Sequence, residues 1–136
     1  PDPIHTNWVS ALAFSPTGKQ LISGGADSAL VIWDMTDFTP TQRVTLDDDV
    51  WIRGLTYSAT GEMVALVGLD GSLRIFDAIS GQLLGEPIVA HQSGIWDVDA
   101  SPIANDFITA GADGLVMVWD FTPPYRPATR VFIAGR

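Results

Sequence analysis

The chain has 136 residues, 46% of them hydrophobic, with 16 acidic against 7 basic residues and a net charge of −9. That length allows one domain with a substantial apolar core, while the charge argues against a nucleic-acid partner, which would need clustered cations. Cysteine is absent, so disulfide frameworks and thiolate metal sites are excluded and a reducing, cytoplasmic setting is expected. No apolar run approaches the roughly 18–20 residues of a membrane helix, and no basic segment followed by an apolar one suggests a leader. A soluble chain without a membrane partner is expected, and Pro1-Asp2-Pro3 reads as a linker or cut point.

Trp8 to Phe14 alternates apolar and small residues and stops at the turn cluster Ser15-Pro16-Thr17-Gly18, as a strand bounded by turn residues does. Leu21-Ile22-Ser23 is a second run ending at Gly24-Gly25-Ala26-Asp27. Leu30 to Trp33 is a third, closed by Asp34, and Arg43 to Leu46 is a fourth, shorter and more polar. The pattern then recurs. Ile52 to Tyr57, Met63 to Val67, Leu73 to Phe76 and Leu83 to Val89 form a second set, and Ile95 to Ala100, Phe107 to Ala110, Val116 to Trp119 and Thr129 to Ile133 a third.

The recurrence has one interval. Asp34, Asp77 and Asp120 each follow an aromatic residue (Trp33, Phe76, Trp119) and are spaced by 43 residues. The same step relates Asp27, Asp70 and Asp113, then Gly25, Gly68 and Gly111, then Ser15, Ser58 and Ser101, without a gap. Internal repeats of this period signal stacked supersecondary units. Each unit reads as one four-stranded antiparallel sheet, giving repeats at about 5–47, 48–90 and 91–136 within a single domain. The inner strands are apolar on both faces, as sheets sandwiched between neighbours require, and the fourth strand is the polar rim.

The stretch His5, Val9, Ala13-Phe14-Ser15-Pro16-Thr17-Gly18, Leu21-Ile22-Ser23-Gly24, Asp27 and Ile32-Trp33-Asp34, with its counterparts 43 and 86 residues on, resembles the WD40 repeat family. The resemblance covers essentially the whole chain and implies an all-β fold of three four-stranded propeller blades. Ser80 to Ile88 is similar to the segment between repeats in bacterial WD40 proteins, many of which carry the propeller on a signalling ATPase or kinase. Membership would also imply a structural tetrad of His, Ser or Thr, Asp and Trp in each blade: His5, Ser23, Asp27 and Trp33 in the first, His91, Thr109, Asp113 and Trp119 in the third. The second repeat carries Asp48, Leu66, Asp70 and Phe76 at those positions. It is therefore expected to be held by apolar packing, with Asp70 capped by turn amides alone.

His5 and His91 could be read as metal ligands or general bases, but the resemblance gives them a structural place. The run Asp47-Asp48-Asp49 lacks the spaced ligands of a calcium loop and reads as a solvated loop. Nucleophile-elbow, phosphate-loop, paired-histidine and dinucleotide motifs are all missing from the sequence. No catalysis, metal or cofactor is expected. What the resemblance implies instead is partner binding on the narrow, top surface, at Trp8, Trp51 and Gly94, at Ser10, Arg53 and Trp96, and at Ala26, Leu69 and Ala112. Aromatics and arginine are the types enriched at interface hot spots, so Trp8, Ser10, Trp51, Arg53, Leu69 and Trp96 are the candidate binding residues. Packing between blades is the alternative for the tryptophans. Tyr125-Arg126-Pro127 reads as a stiff loop rather than a proline-rich ligand segment.

Closed propellers have about 4–8 blades, so three repeats imply a partial ring. Two arrangements would cover its ends: further blades of a longer chain, or self-association, most simply a dimer forming a six-bladed ring. The expected function is a protein- or peptide-binding scaffold, with an assembling architectural repeat as the alternative.

Overall fold

The computed structural model describes residues 3–121 together with the backbone of 128–132. Twelve strands form three antiparallel sheets, each in chain order. Blade 1 comprises β1 (Val9–Phe14), β2 (Gln20–Gly25), β3 (Ala29–Asp34) and β4 (Thr39–Thr45). Blade 2 comprises β5 (Ile52–Tyr57), β6 (Met63–Gly68), β7 (Ser72–Asp77) and β8 (Ile88–Val89). Blade 3 comprises β9 (Ile95–Ala100), β10 (Asp106–Gly111), β11 (Val116–Asp120) and β12 (Ala128–Phe132). Tyr125-Arg126-Pro127 lies outside the described residues. Among the described residues no helix is long and apolar enough to cross a membrane.

The fourth strand of blade 2 is shorter than the alternation of Leu83 to Val89 suggests. Pro87 has no amide to give the ladder, and Gly85 adopts a positive φ of 75°. The expected strand therefore breaks into an isolated bridge, Phe76 to Leu83, and the two-residue β8.

The blades are held face to face by side chains in matching registers. Ile22, Leu30 and Ile32 of blade 1 pack against Ile52, Leu55, Tyr57, Val64, Leu66 and Phe76 of blade 2. The opposite face of blade 2, with Ala65, Leu73 and Ile75, meets Ile95, Val98, Phe107 and Trp119 of blade 3. Blade 2 is thus covered on both sides, and every residue of β6 is buried. Burial pushes the Tyr57 hydroxyl up to about 12.

The turn from β2 to β3 carries a left-handed residue in each repeat: Ser28 (φ 57°), Gly71 (79°) and Gly114 (82°). Glycine adopts this conformation without a Cβ penalty. Ser28 does not, but its buried hydroxyl donates to the Val50 carbonyl at 3.1 Å and accepts from the Val50 amide at 2.9 Å, tying blade 1 to the entry of blade 2.

The outward flank of blade 1 repeats the buried registers without a cover. Leu12 is 63% exposed where its counterpart Leu55 is 6% exposed, and Phe14 is 61% exposed where Tyr57 is 4% exposed. Leu12, together with Val9, Leu21, Trp33, Met35 and Phe38, lines a hollow of about 610 Å³. On the far side, Ile108 of blade 3, the counterpart of fully buried Ile22, is 40% exposed.

Candidate functional site

In blades 1 and 3 a hydrogen-bonded chain runs from indole to carboxylate. Trp33 Nε1 donates to Ser23 Oγ at 2.9 Å, Ser23 Oγ lies 2.7 Å from His5 Nε2, and His5 Nδ1 lies 3.0–3.1 Å from both Asp27 oxygens. In blade 3, Trp119 Nε1 donates to Thr109 Oγ1 at 3.0 Å, Thr109 Oγ1 lies 2.8 Å from His91 Nε2, and His91 Nδ1 lies 2.9–3.0 Å from Asp113. A neutral imidazole protonated on Nδ1 satisfies every member: the indole donates to the hydroxyl, the hydroxyl to Nε2, and Nδ1 to the carboxylate. With both ring nitrogens occupied and the rings buried, neither histidine is open to a metal or a substrate proton. Among the described residues no cluster of His, Asp and Glu suits a metal ion.

Burial works against ionisation of Asp27, but the His5 ring, the Thr6 amide and Arg43 outweigh it and hold the carboxyl below its ordinary 3.8. Asp113 is lowered in the same way, burial being overcome by His91 and the Leu115 and Gln92 amides. The turn carboxylates Asp34 and Asp77 are lowered chiefly by the Thr36 and Ser80 amides. A carboxylate with a depressed native pKa contributes stability that is complete above its unfolded value and lost as pH falls through the native one. The melting temperature is therefore expected to fall as pH drops below about 4. An Asp27→Asn, Asp113→Asn double variant should show a flatter acid limb in a pH series of thermal melts; an unchanged limb would discredit the assignment.

Blade 2 is not held by apolar packing alone, and Asp70 is not capped by turn amides alone. Asp70 does accept from the Ser72 amide at 3.1 Å, but its other oxygen lies 3.0 Å from Arg74 Nη1, an ionic contact rather than an aligned hydrogen bond. Arg74 Nη2 donates to Asp48 at 3.0 Å. The guanidinium, 3% exposed, thus joins the residue in the histidine register to the turn aspartate. Asp48 is consequently paired as well as solvated.

The top surface is built by a β-bulge repeated in every blade. Val9 pairs with Gly25 and Ala11 with Gly24, leaving Ser10 as the extra residue. Ile52 pairs with Gly68 and Gly54 with Val67, leaving Arg53. Ile95 pairs with Gly111 and Asp97 with Ala110, leaving Trp96. Bulges re-aim side chains and are common beside functional sites. They also account for the glycines at 25, 68 and 111: a Cβ on Gly25 would collide with the Trp8 carbonyl, and one on Gly111 with the His91 ring. Next to each bulge one backbone hydrogen bond closes the top loop, from Ala26 to Trp8 (2.8 Å), Leu69 to Trp51 (3.1 Å) and Ala112 to Gly94 (2.8 Å).

These bonds bring the three candidate sets to one end of the blades. The indoles of Trp8 and Trp51 meet edge to face, with centroids 5.7 Å apart and planes at 67°. The Arg53 guanidinium carbon sits 4.9 Å from the Trp96 ring centroid, within reach of a cation–π interaction. Trp8 is 72% and Trp96 51% exposed, and Leu69 is also exposed. Trp51 and Arg53 are half-buried, and among the described residues Trp51 Nε1 and Arg53 Nε have no hydrogen-bond partner. Ser10 differs: its hydroxyl donates to the Ile52 carbonyl across the blade interface.

The family profile "WD domain, G-beta repeat" matches residues 3–34 and 81–120, more than half of the chain. The chain belongs to the WD40 repeat family. The matched segments carry the two His-to-Trp networks, and the intervening segment holds the blade with the Arg74 bridge. Human WD repeat-containing protein 3 is 31% identical over 117 residues, which is 86% of this chain and 12% of that protein. Rat striatin-3 is 24% identical over 116 residues, 85% of this chain and 10% of that protein. Among solved structures, the RRP9 WD40 repeats superpose with a TM-score of 0.83 at 26% identity, covering 96% of this chain and 38% of the other. The structure of U3-55K gives 0.81 at 25%, covering 94% and 38%. This WD40 chain thus spans a small part of its curated relatives and well under half of the solved propellers. WD40 repeats generally mediate protein–protein interaction, and the matching family is a repeat family rather than a catalytic one.

Proposed function

We propose that the chain is an interaction scaffold whose top surface receives a protein or peptide partner through Trp8, Trp51, Arg53, Leu69 and Trp96, without chemistry of its own. The repeated bulge carries this reading. It lifts Arg53 and Trp96 out of the ladder at one register, beside Trp8, whose indole is exposed at a cost in solvation that folding of the blades does not require. The resemblance of Ser80 to Ile88 to bacterial inter-repeat segments supports a docking role within a larger signalling protein. In affinity capture, an Arg53→Ala, Trp96→Ala double variant is expected to lose the partner while its melting temperature stays near that of the parent. A collapse of the melting temperature would instead make the two residues part of the core.

A second reading rests on the open flanks. The uncovered registers of Leu12, Phe14 and Ile108 match buried ones in the other blades, and we infer that a further blade-like sheet covers them. It would come from more blades of a longer polypeptide or from a second copy completing a six-bladed ring. Sedimentation of the 136-residue chain separates these, since a monodisperse monomer would eliminate self-association.

A further inference from the structure

We propose that the cleft between the top loops of blades 1 and 2 receives a basic side chain, lysine or arginine, presented by the partner protein. The inference rests on the scaffold reading above and gives its surface a chemical preference. Asn7, Trp8, Ala26, Asp49, Trp51, Leu69 and Asp70 line a cleft of about 630 Å³. The two indoles already touch edge to face, with centroids 5.7 Å apart, so a side chain in the cleft packs on the exposed ring surface of Trp8 rather than between the rings. A cation is attracted to an aromatic face, and carboxylates lie within the same lining. Asp49 is exposed, and among the described residues its side chain accepts a single, long hydrogen bond, 3.4 Å from Ser28 Oγ. Asp70 is partly neutralised by Arg74. No lysine or arginine is among the described lining residues. Asp48, Asp49 and Asp70 still outnumber the guanidiniums of Arg74 and Arg53 around these loops, on a chain whose net charge is −9.

One blade interface further round, the same surface already holds a guanidinium against an indole, Arg53 over Trp96 at 4.9 Å. The chemistry required of an incoming basic side chain is thus present in the protein's own packing. An acidic or purely apolar side chain would meet carboxylates without compensation. A lysine or arginine stem instead lies along Trp8 and Leu69 while its charged end stays beside Asp49.

The test is an NMR titration of the whole protein, followed at the indole N–H signals of Trp8 and Trp51. Three capped tripeptides serve as probes, with lysine, arginine or norleucine between glycines. Saturable shifts with the lysine or arginine peptide and none with norleucine are expected. Trp8→Ala should weaken binding about tenfold, the size of a partly desolvated cation–π contact. Asp49→Asn, at an exposed position, should weaken it several-fold and reduce its salt dependence. Equal shifts with norleucine, or saturation untouched by both substitutions, would overturn the proposal. If the cleft ignores cations while Arg53→Ala, Trp96→Ala still releases a captured protein, only the chemical preference falls and the scaffold reading stands.

Discussion

Replacing Thr109 by valine is expected to destabilise the protein by about 2–5 kcal/mol, although the shape of the side chain is kept. Thr109 is fully buried, and its hydroxyl is the only link between Trp119 Nε1 and His91 Nε2 in the network. Valine leaves an indole donor and an imidazole nitrogen without partners in a site water does not reach, and each such group costs about 1–3 kcal/mol. Thr109→Ser keeps the hydroxyl that blade 1 uses at Ser23 and gives up one methyl, a loss of about 1 kcal/mol. The gap between valine and serine isolates hydrogen bonding from packing. Ser23→Ala should cost less than Thr109→Val, because half-buried Trp33 can turn its freed N–H toward solvent. Thermal or urea unfolding checks the series; valine tolerated as well as serine would mean that the network does not stabilise the blade.

The strands were legible because their chemistry is periodic. Ile52–Tyr57 and Ile95–Ala100 have the bounds the alternation predicts, and β2, β3, β6, β7, β10 and β11 extend by a residue or two where the ladder continues past the apolar run. β1 starts one residue late, β12 is shifted back by one, and β4 starts four residues before Arg43, on polar residues that the apolar pattern does not mark. The bulges were not legible. An extra residue such as Arg53 disturbs the alternation by a single place, and nothing in composition separates a bulge from an ordinary polar strand position. The recurring glycines at 25, 68 and 111 were the available signal, since each pairs with the strand residue that precedes a bulge and has no room for a Cβ. The short β8 follows from Pro87 and Gly85, both visible in a stretch that the repeat pattern nevertheless favoured as strand. Arg74 was missed for a different reason. Its register holds Val31 and Met117 in the other repeats, so it lies outside the tetrad positions and the repeat pattern does not mark it as the residue that takes over their role in blade 2. A lone charge where two repeats are apolar, with carboxylates at the histidine and turn registers, is the pattern that would have exposed it.

An Asp48→Asn, Asp70→Asn double variant is expected to lose about 3–5 kcal/mol, because it strands a guanidinium that is already desolvated. Arg74→Met should cost less than about 1 kcal/mol or be slightly stabilising, since it removes the charge itself and inserts the residue found at the equivalent place in blade 3. The asymmetry comes from burial. Arg74 has a side-chain exposure of 4%, whereas Asp48 keeps 69% and Asp70 30%, so the carboxylates can return to water and the guanidinium cannot. Asp48→Asn alone should fall near the small values of exposed pairs, because Asp70 still faces the cation. Unfolding free energies of the four variants decide the matter. If Arg74→Met proves as damaging as the double aspartate replacement, the bridge is a net source of stability and blade 2 has exchanged one polar clamp for another of equal strength. If the predicted asymmetry appears, the apolar contacts of Leu66 and Phe76 hold the middle blade, and the ion triad serves to keep a buried charge compensated.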